Sequence, residues 1–474
     1  MDASASALPY DLWRGVDAAA LERLLDATPL PSPSPTLAAL IARALAADDG
    51  GEANLALRAA ALQRAGRVEE TISLLGKSPG VSGPGLEARY AMALFAAGRE
   101  SEACAVDLGA RPGTEARLMS AYCSATRADA PGGAAPQRRD ASAAALLPRS
   151  STRKPMFDVA DYVSLKLDAP GGGAALKPDL AAKASPELLF RLARDEDAAP
   201  ELRLAAAERA ASLNVIAGDE LARAYREAAA KLPAGAKSGP ALRARLFASF
   251  DNAPSANIRA ESIGALLASA RDQGIEVPVA QALAQAAAGL VEDPQADFFA
   301  ETGVRIAALA GDEESAWAWI DTGGERMRSW QLLLAASDPQ GPRAEAALAA
   351  GIDIALKGGL PPPLLHRLVT VLDALDYEVP MPLWDEASKT PQPDDGDLPP
   401  TGALTGLKQA ADAGDVGRTV LLAATVLGPN GAKGAHLIAL GDALRALKRV
   451  GLDAEARRLG FEALYARWPT RGKA

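Results

Sequence analysis

A helical-hairpin signature recurs along this chain with a small residue at a fixed offset, and no other feature constrains the fold as strongly. The turns read Ala65-Gly66-Arg67, Ala97-Gly98-Arg99, Ala217-Gly218-Asp219, Ala310-Gly311-Asp312 and Ala413-Gly414-Asp415. A looser sixth stands at Val450-Gly451-Leu452-Asp453. Each lies between two Ala/Leu-rich segments of helical period. Glycine suits the left-handed residue that ends a helix, and an aspartate just after it can cap the next helix. Five residues past Gly98, Gly311 and Gly451 stand Ala103, Ala316 and Ala456, small residues where two helices must approach closely. The pattern predicts an all-α fold of antiparallel helical hairpins stacked in a superhelix, an α-solenoid. Such scaffolds bind other molecules more often than they transform them, and their partner is not written into a motif.

Composition agrees with helix. Hydrophobic residues make up 49% of the 474 residues but aromatics only 4%, so the apolar surface is mostly alanine and leucine, the best helix formers. The length suits about three domains, although a solenoid grows without starting a new core. A net charge of −10 argues against nucleic acid as a partner, and the densest basic run, Arg149 with Arg153 and Lys154, lies in a linker-like stretch. No apolar run reaches the roughly 18 residues of a membrane span, so no transmembrane segment is expected. Met1-Asp2-Ala3-Ser4 lacks the basic and then apolar pattern of a signal peptide. That places the chain in the cytoplasm, or in the periplasm if a leader was removed.

Along the chain, residues 8–30 read as an amphipathic helix ended by the prolines between Pro31 and Pro35. The expected organisation is an N-terminal helical-repeat domain over 8–128 and a flexible Ala/Pro/Gly/Ser linker over 129–156. A central helical-repeat domain over 157–390, an acidic, proline-bearing link over 391–402 and C-terminal hairpins over 403–474 follow. Asp158 to Leu167 alternates weakly and reads as a helix in preference to an extended piece.

The hairpins resemble tetratricopeptide repeats. Gly451 is followed by Ala456, Ala463 and Pro469, the small-residue and terminal-proline pattern of that family, and Gly66 and Gly98 are 32 residues apart, near its period. Gly98 with Tyr90, Leu94 and Ala103, and Gly311 with Ala307 and Ala316, match in part. Gly66 departs with Thr71 at the small position, Gly218 departs with Arg223, and most family aromatics are missing. The order Leu12-Trp13-Arg14-Gly15, Glu102-Ala103-Cys104 and Ala121-Tyr122-Cys123 is similar to a family of uncharacterised, Ala-rich bacterial proteins. That second resemblance implies export and assigns no activity.

Candidate chemistry is sparse. Cys104 and Cys123 flank the turn Arg111-Pro112-Gly113-Thr114, and their midpoint falls on it. If 101–110 and 114–125 are antiparallel helices with axes about 8–10 Å apart, the Cα atoms come within the roughly 5.5–6 Å of a disulfide. Two buried thiols acting as small hydrophobes is the other reading; a redox-catalytic pair lacks its Cys-x-x-Cys. His366 and His436 are the two histidines, too isolated for a structural zinc. Asp394, Asp395 and Asp397 lack the spacing and closing glutamate of a calcium loop. Gly171-Gly172-Gly173 and Gly428-Pro429-Asn430-Gly431 lack the Lys-Ser/Thr ending of a phosphate loop. No cofactor or metal is therefore expected. Trp317, Trp319 and Trp330, near Phe298 and Phe299, form the densest aromatic group, and tryptophan favours binding hot spots. They are the candidate contact surface, with core packing as the competing reading.

These features lead to a non-enzymatic helical-repeat scaffold that holds a protein or peptide partner, in the cell envelope if exported. An all-α superhelical enzyme acting on cell-wall glycan would instead require a buried Glu or Asp beside Trp317 or Trp319 in a cleft. A cytoplasmic adaptor is the third reading, separated from the first by the state of the two thiols.

Overall fold

Alanine and leucine at helical spacing do form helices almost throughout. The computed structural model describes residues 6–9, 11–47, 54–77, 85–108, 113–128, 156–168, 176–232 and 235–469. The expected linker over 129–156 lies outside them apart from Met156, as do Met1 to Ser4, Arg111-Pro112 and Gly171-Gly172-Gly173. Helix makes up 71% of the structure. The described residues contain no β-strand, only isolated bridges from Phe157 to Ala184 and from Asp397 to Ala435. The class is all-α. No helix among the described residues is long and apolar enough to cross a membrane.

The hairpin turns share one way of closing. A residue of positive φ is followed by one whose N–H returns to the carbonyl five residues back, which satisfies a carbonyl that the helix end leaves open. Arg67 donates to Leu62, Arg99 to Leu94, Asp312 to Ala307, Asp415 to Ala410 and Leu452 to Leu447, at 2.8–2.9 Å. Gly66, Gly98, Gly311, Gly414 and Gly451 supply the positive φ in these five. Asp312 and Asp415 then cap the following helices, accepting from the N–H groups of Ser315 at 3.0 Å and Arg418 at 3.1 Å. The small residues five positions on, Ala103, Ala316 and Ala456, are buried as the spacing predicts. Thr71 and Thr419 hold the same position, also buried. Each returns its hydroxyl to a carbonyl of its own helix start, Arg67 or Asp415, at 2.7 Å, so a threonine sits there without an unpaired polar atom.

Ala217-Gly218-Asp219 is not such a turn. The left-handed residue in that stretch is Asn214 (φ 57), and Val215 donates back to Ala210 at 2.8 Å. Gly218 instead opens the helix Gly218–Lys231 and is pressed against Gln281, where a Cβ would lie 2.6 Å from the side chain. The same closing bond appears where no Ala-Gly pair marks it. Ile275 donates to Ala270 past Gly274, Gly359 to Ile354 past Gly358, and Tyr377 to Leu372 past Asp376.

The chain divides into two compact units. In the unit formed by Gly50–Asn252 and Ala268–Ala282, Leu55–Arg64 packs on Val68–Gly76, which packs on Leu86–Ala96, which packs on Glu100–Ala103 and Thr114–Ala128. Thr114–Ala128 meets Val159–Asp168, so the stretch after Asp158 is helical as expected. Further on, Pro186–Leu192, Pro200–Ser212, Gly218–Lys231 and Gly239–Asp251 pack each on the next. The expected helix over 101–110 stops at Ala103, and Cys104 is its C-cap.

The other unit is formed by Met1–Asp49, Ala253–Leu267 and Leu283–Ala474. Here the N-terminal segment joins the C-terminal hairpins: Pro35–Ala46 packs on both Val416–Leu427 and Asp453–Tyr465. Glu462 receives the Ser34 hydroxyl at 2.5 Å and the Thr36 hydroxyl at 2.6 Å, while Glu455 receives Ser6 and Arg43, each at 2.8 Å. The expected helix over 8–30 is shorter, Ala18–Ala27, because Gly15 breaks the chain with φ 75. Trp13 in the preceding turn is buried against Gly417 and donates its indole N–H to Ala44 O at 2.7 Å. The acidic stretch 391–402 is tied down at Asp397, which exchanges backbone bonds with Gly434 and His436 and accepts from the Asn430 amide at 3.1 Å.

Candidate functional site

The three tryptophans singled out from sequence lie in the core. On the helix Glu313–Gly323, Trp319 is fully buried, with Phe299 edge-on at 5.5 Å and its ring over Gly303. Trp330, 4% exposed, faces Tyr465 at 6.1 Å and Arg305 at 5.8 Å. Trp317 is 9% exposed; the Arg343 guanidinium covers its ring at 4.7 Å and is itself paired with Asp321 at 2.6 Å. The Trp317 indole donates to Glu313 at 3.3 Å. Asp338 ion-pairs with Arg457 at 3.4 Å, and burial, with the Glu313 charge in its field, holds its carboxyl above the usual carboxylate range. No indole face of this group is open enough to serve as a platform.

Cys104 and Cys123 lie in the other unit, at disulfide distance, with Cα atoms 5.4 Å apart. They flank a buried polar network. Glu100, on the short helix that Cys104 ends, receives the Tyr122 hydroxyl at 2.5 Å and the Arg191 guanidinium at 2.6 Å. Arg191 also donates to Phe95 O at 3.2 Å, placing a cation at the C-terminal end of Leu86–Ala96, where the helix dipole favours it. On its far side lies Asp195, which accepts from the Tyr162 hydroxyl and has Lys166 at 3.4 Å. Burial alone would raise the Asp195 carboxyl; the Tyr162 bond, Arg191 and Lys166 outweigh it and hold it below its ordinary value. Burial and the adjacent carboxylates push Tyr122 and Tyr162 upward, so both remain protonated donors at neutral pH. An acid held ionised and two tyrosines held protonated are poor proton-transfer groups near pH 7. The arrangement clamps helices together.

A second buried cluster repeats that chemistry. Glu208 accepts two bonds from Arg243, both at 2.6 Å, and one from the Tyr225 hydroxyl at 2.8 Å. Its role is also to join neighbouring helices. Among the described residues no group of three or more His, Cys, Asp or Glu is placed to hold a metal ion. His366 faces Thr390, whose carbonyl and hydroxyl oxygens are each 3.2 Å from Nε2, and His436 caps the helix Leu437–Arg449 through Ile438 N–H.

The residue that sequence reasoning missed is Trp384. It is 40% exposed, whereas Trp13, Trp317, Trp319, Trp330 and Trp468 are all buried. Met381, one turn earlier on the helix Met381–Ser388, is 69% exposed. Leu383 and Ala387, four apart, turn inward toward Pro362–Ala374 and Ala344–Leu356. The signal was legible: a buried pair at 383 and 387 leaves 381, 385 and 388 on the opposite face, with 384 at its edge. Asp385 and Ser388 on that face are exposed as well. The dense aromatic group, the candidate contact surface from sequence, lies in the core, and Trp384, apart from it, is at the surface. No family model, curated protein or solved structure matches the chain.

Proposed function

We propose that this protein is a non-enzymatic helical-repeat scaffold, a degenerate relative of tetratricopeptide proteins, that holds a protein or peptide partner. The observation that carries the reading is the repetition of one turn chemistry, a left-handed residue with its five-back hydrogen bond and a buried small residue five positions on. Repeated hairpins that each bury a face against the next are how solenoids grow. The serial packing from Leu55–Arg64 to Thr114–Ala128 supports a stacked, superhelical arrangement of hairpins. In the other unit the N-terminal helices pack on the C-terminal hairpins and would cap those hairpins.

The cysteine pair at 5.4 Å between Cα atoms supports residence in an oxidising compartment such as the bacterial cell envelope. A cytoplasmic adaptor would keep both thiols reduced. The glycan-cleaving reading has Asp338 and Glu313 near Trp317 on its side, but a sugar needs an exposed ring to stack on, and Trp317 and Trp319 are buried. Crosslinking in the native host followed by capture of the full chain should return a specific protein. Release of soluble sugar from purified cell-wall glycan, abolished by Asp338→Asn, would overturn the scaffold reading.

A further inference from the structure

The helix Met381–Ser388 leaves two apolar side chains exposed among the described residues, within an acidic stretch of sequence. Met381 and Trp384, three apart, stand side by side on it, with Asp385 next to Trp384 on the same side. From Asp376 to Asp397 the chain carries seven carboxylates, Asp376, Glu378, Asp385, Glu386, Asp394, Asp395 and Asp397, against the single cation Lys389. Several of the seven are already satisfied: Asp376 by Lys448, Glu386 by Lys389 at 2.5 Å and Asp395 by Arg467. Glu378 and Asp385 have no ion pair among the described residues and are exposed. Glu378, three residues before Met381, and Asp385, next to Trp384, thus flank the exposed pair in sequence without a cation partner among the described residues.

We propose that Met381 and Trp384 form a docking surface for a cationic amphipathic peptide segment, whose apolar side chains cover the two residues while its lysines or arginines meet Glu378 and Asp385. This rests on the scaffold reading and supplies the chemistry of its partner. Three physical points converge on that occupant. A tryptophan in an apolar patch is a frequent hot spot, and its ring face attracts a cation. Exposed carboxylates that flank it in sequence select positive over negative partners and give the encounter its steering. The same charges disfavour an anionic lipid surface, and a net charge of −10 disfavours a second copy of this chain.

The test uses the full chain and three labelled synthetic helical peptides: one of leucine and lysine, one of leucine and glutamate, and one of serine and lysine. Fluorescence anisotropy gives the affinities, and acrylamide quenching reports on Trp384, the exposed tryptophan. The leucine–lysine peptide should bind and shield Trp384, and neither other peptide should match it. Trp384→Ala should weaken binding by about tenfold or more. Met381→Lys, at a position too exposed to disturb the core, should weaken it too, by both lost contact and repulsion. Glu378→Gln with Asp385→Asn should flatten the salt dependence. Phe298→Ala, removing an apolar residue 55% exposed elsewhere, should change nothing.

Equal binding by Trp384→Ala or Met381→Lys, equal weakening by Phe298→Ala, or shielding of Trp384 by self-association or by anionic vesicles would overturn the surface. In those cases a partner still captured by crosslinking to Trp384→Ala would leave the scaffold reading standing, whereas failure of that capture with the unaltered chain would remove the reading itself.

Discussion

The indole of Trp319 lies directly over Gly303, so close that a Cβ on that glycine would sit 2.4 Å from two ring carbons. The contact joins the helices Ala300–Ala310 and Glu313–Gly323 across their Ala-Gly turn, and it is possible because one partner has no side chain. Gly303→Ala should therefore destabilise the chain by about 1–3 kcal/mol through overpacking. Gly264→Ala is the control. That glycine is in the helix Ala256–Asp272 with nothing within 4 Å of the added carbon, so alanine should stabilise by roughly 0.5–1 kcal/mol. Thermal or urea unfolding of the two variants should show shifts of opposite sign.

Linking Cys104 to Cys123 closes a loop with a sequence separation of 19. Chain-entropy reasoning gives such a loop about 3 kcal/mol of stabilisation. Reduction should lower the melting temperature of the oxidised protein, and Cys104→Ser with Cys123→Ser should reproduce the loss and abolish sensitivity to reductant. Thiol labelling before and after reduction, on protein taken from its native compartment, tests the location at the same time. Free thiols in the native folded protein would remove the case for an oxidising compartment.

The class of this fold and most of its turns were legible because they depend on local physics. Glycine takes positive φ at no steric cost, so Gly66, Gly98, Gly311, Gly414 and Gly451 announce themselves. Asn214 and Asp376 do the same work, but these residue types occupy many other conformations, so their presence signals little. Gly218 misled for the converse reason: a glycine can be required by close approach, here to Gln281, instead of by a turn. The junction of Glu455 and Glu462 with Ser6, Arg43, Ser34 and Thr36 spans more than 400 residues of sequence, and no periodicity encodes such a pairing. The aromatic group at Trp317, Trp319 and Trp330 illustrates a further limit. Clustering raised it as a contact surface, yet a chain with few aromatics spends them where they bury the most area.

Glu208 and Arg243 are 6% and 2% exposed and share two hydrogen bonds, with Tyr225 on the same carboxylate. Removing one member of a buried pair strands the other without solvent or counter-charge. Glu208→Gln should cost about 3–5 kcal/mol. Glu208→Leu combined with Arg243→Met and Tyr225→Phe removes every polar group of the cluster and should recover most of that loss. Denaturant unfolding of the single and triple variants checks the ordering. A triple variant as unstable as the single would show that the pair contributes net stability beyond satisfying its own charges.

Glu187 ties pH to stability. Burial pushes its carboxyl up from 4.5 to about 7, against the opposing pull of the Gln63 hydrogen bond and the Arg89 charge, with Glu115 and Asp158 adding to the rise. A carboxyl raised by folding favours the protonated form in the native state. Its contribution to stability is therefore full below its unfolded value of 4.5 and is lost as pH rises through about 7. The melting temperature of the unaltered chain should accordingly fall between about pH 5 and pH 8 relative to that of Glu187→Gln, whose amide cannot ionise but still bonds Gln63. The difference between the two proteins isolates Glu187 from the other carboxylates, since those remain in both. Parallel curves across that window would mean that Glu187 titrates as an ordinary surface glutamate. A gain of the unaltered chain on the variant confined to rising pH below about 5, with parallel curves above it, would show that Arg89 and Gln63 outweigh burial.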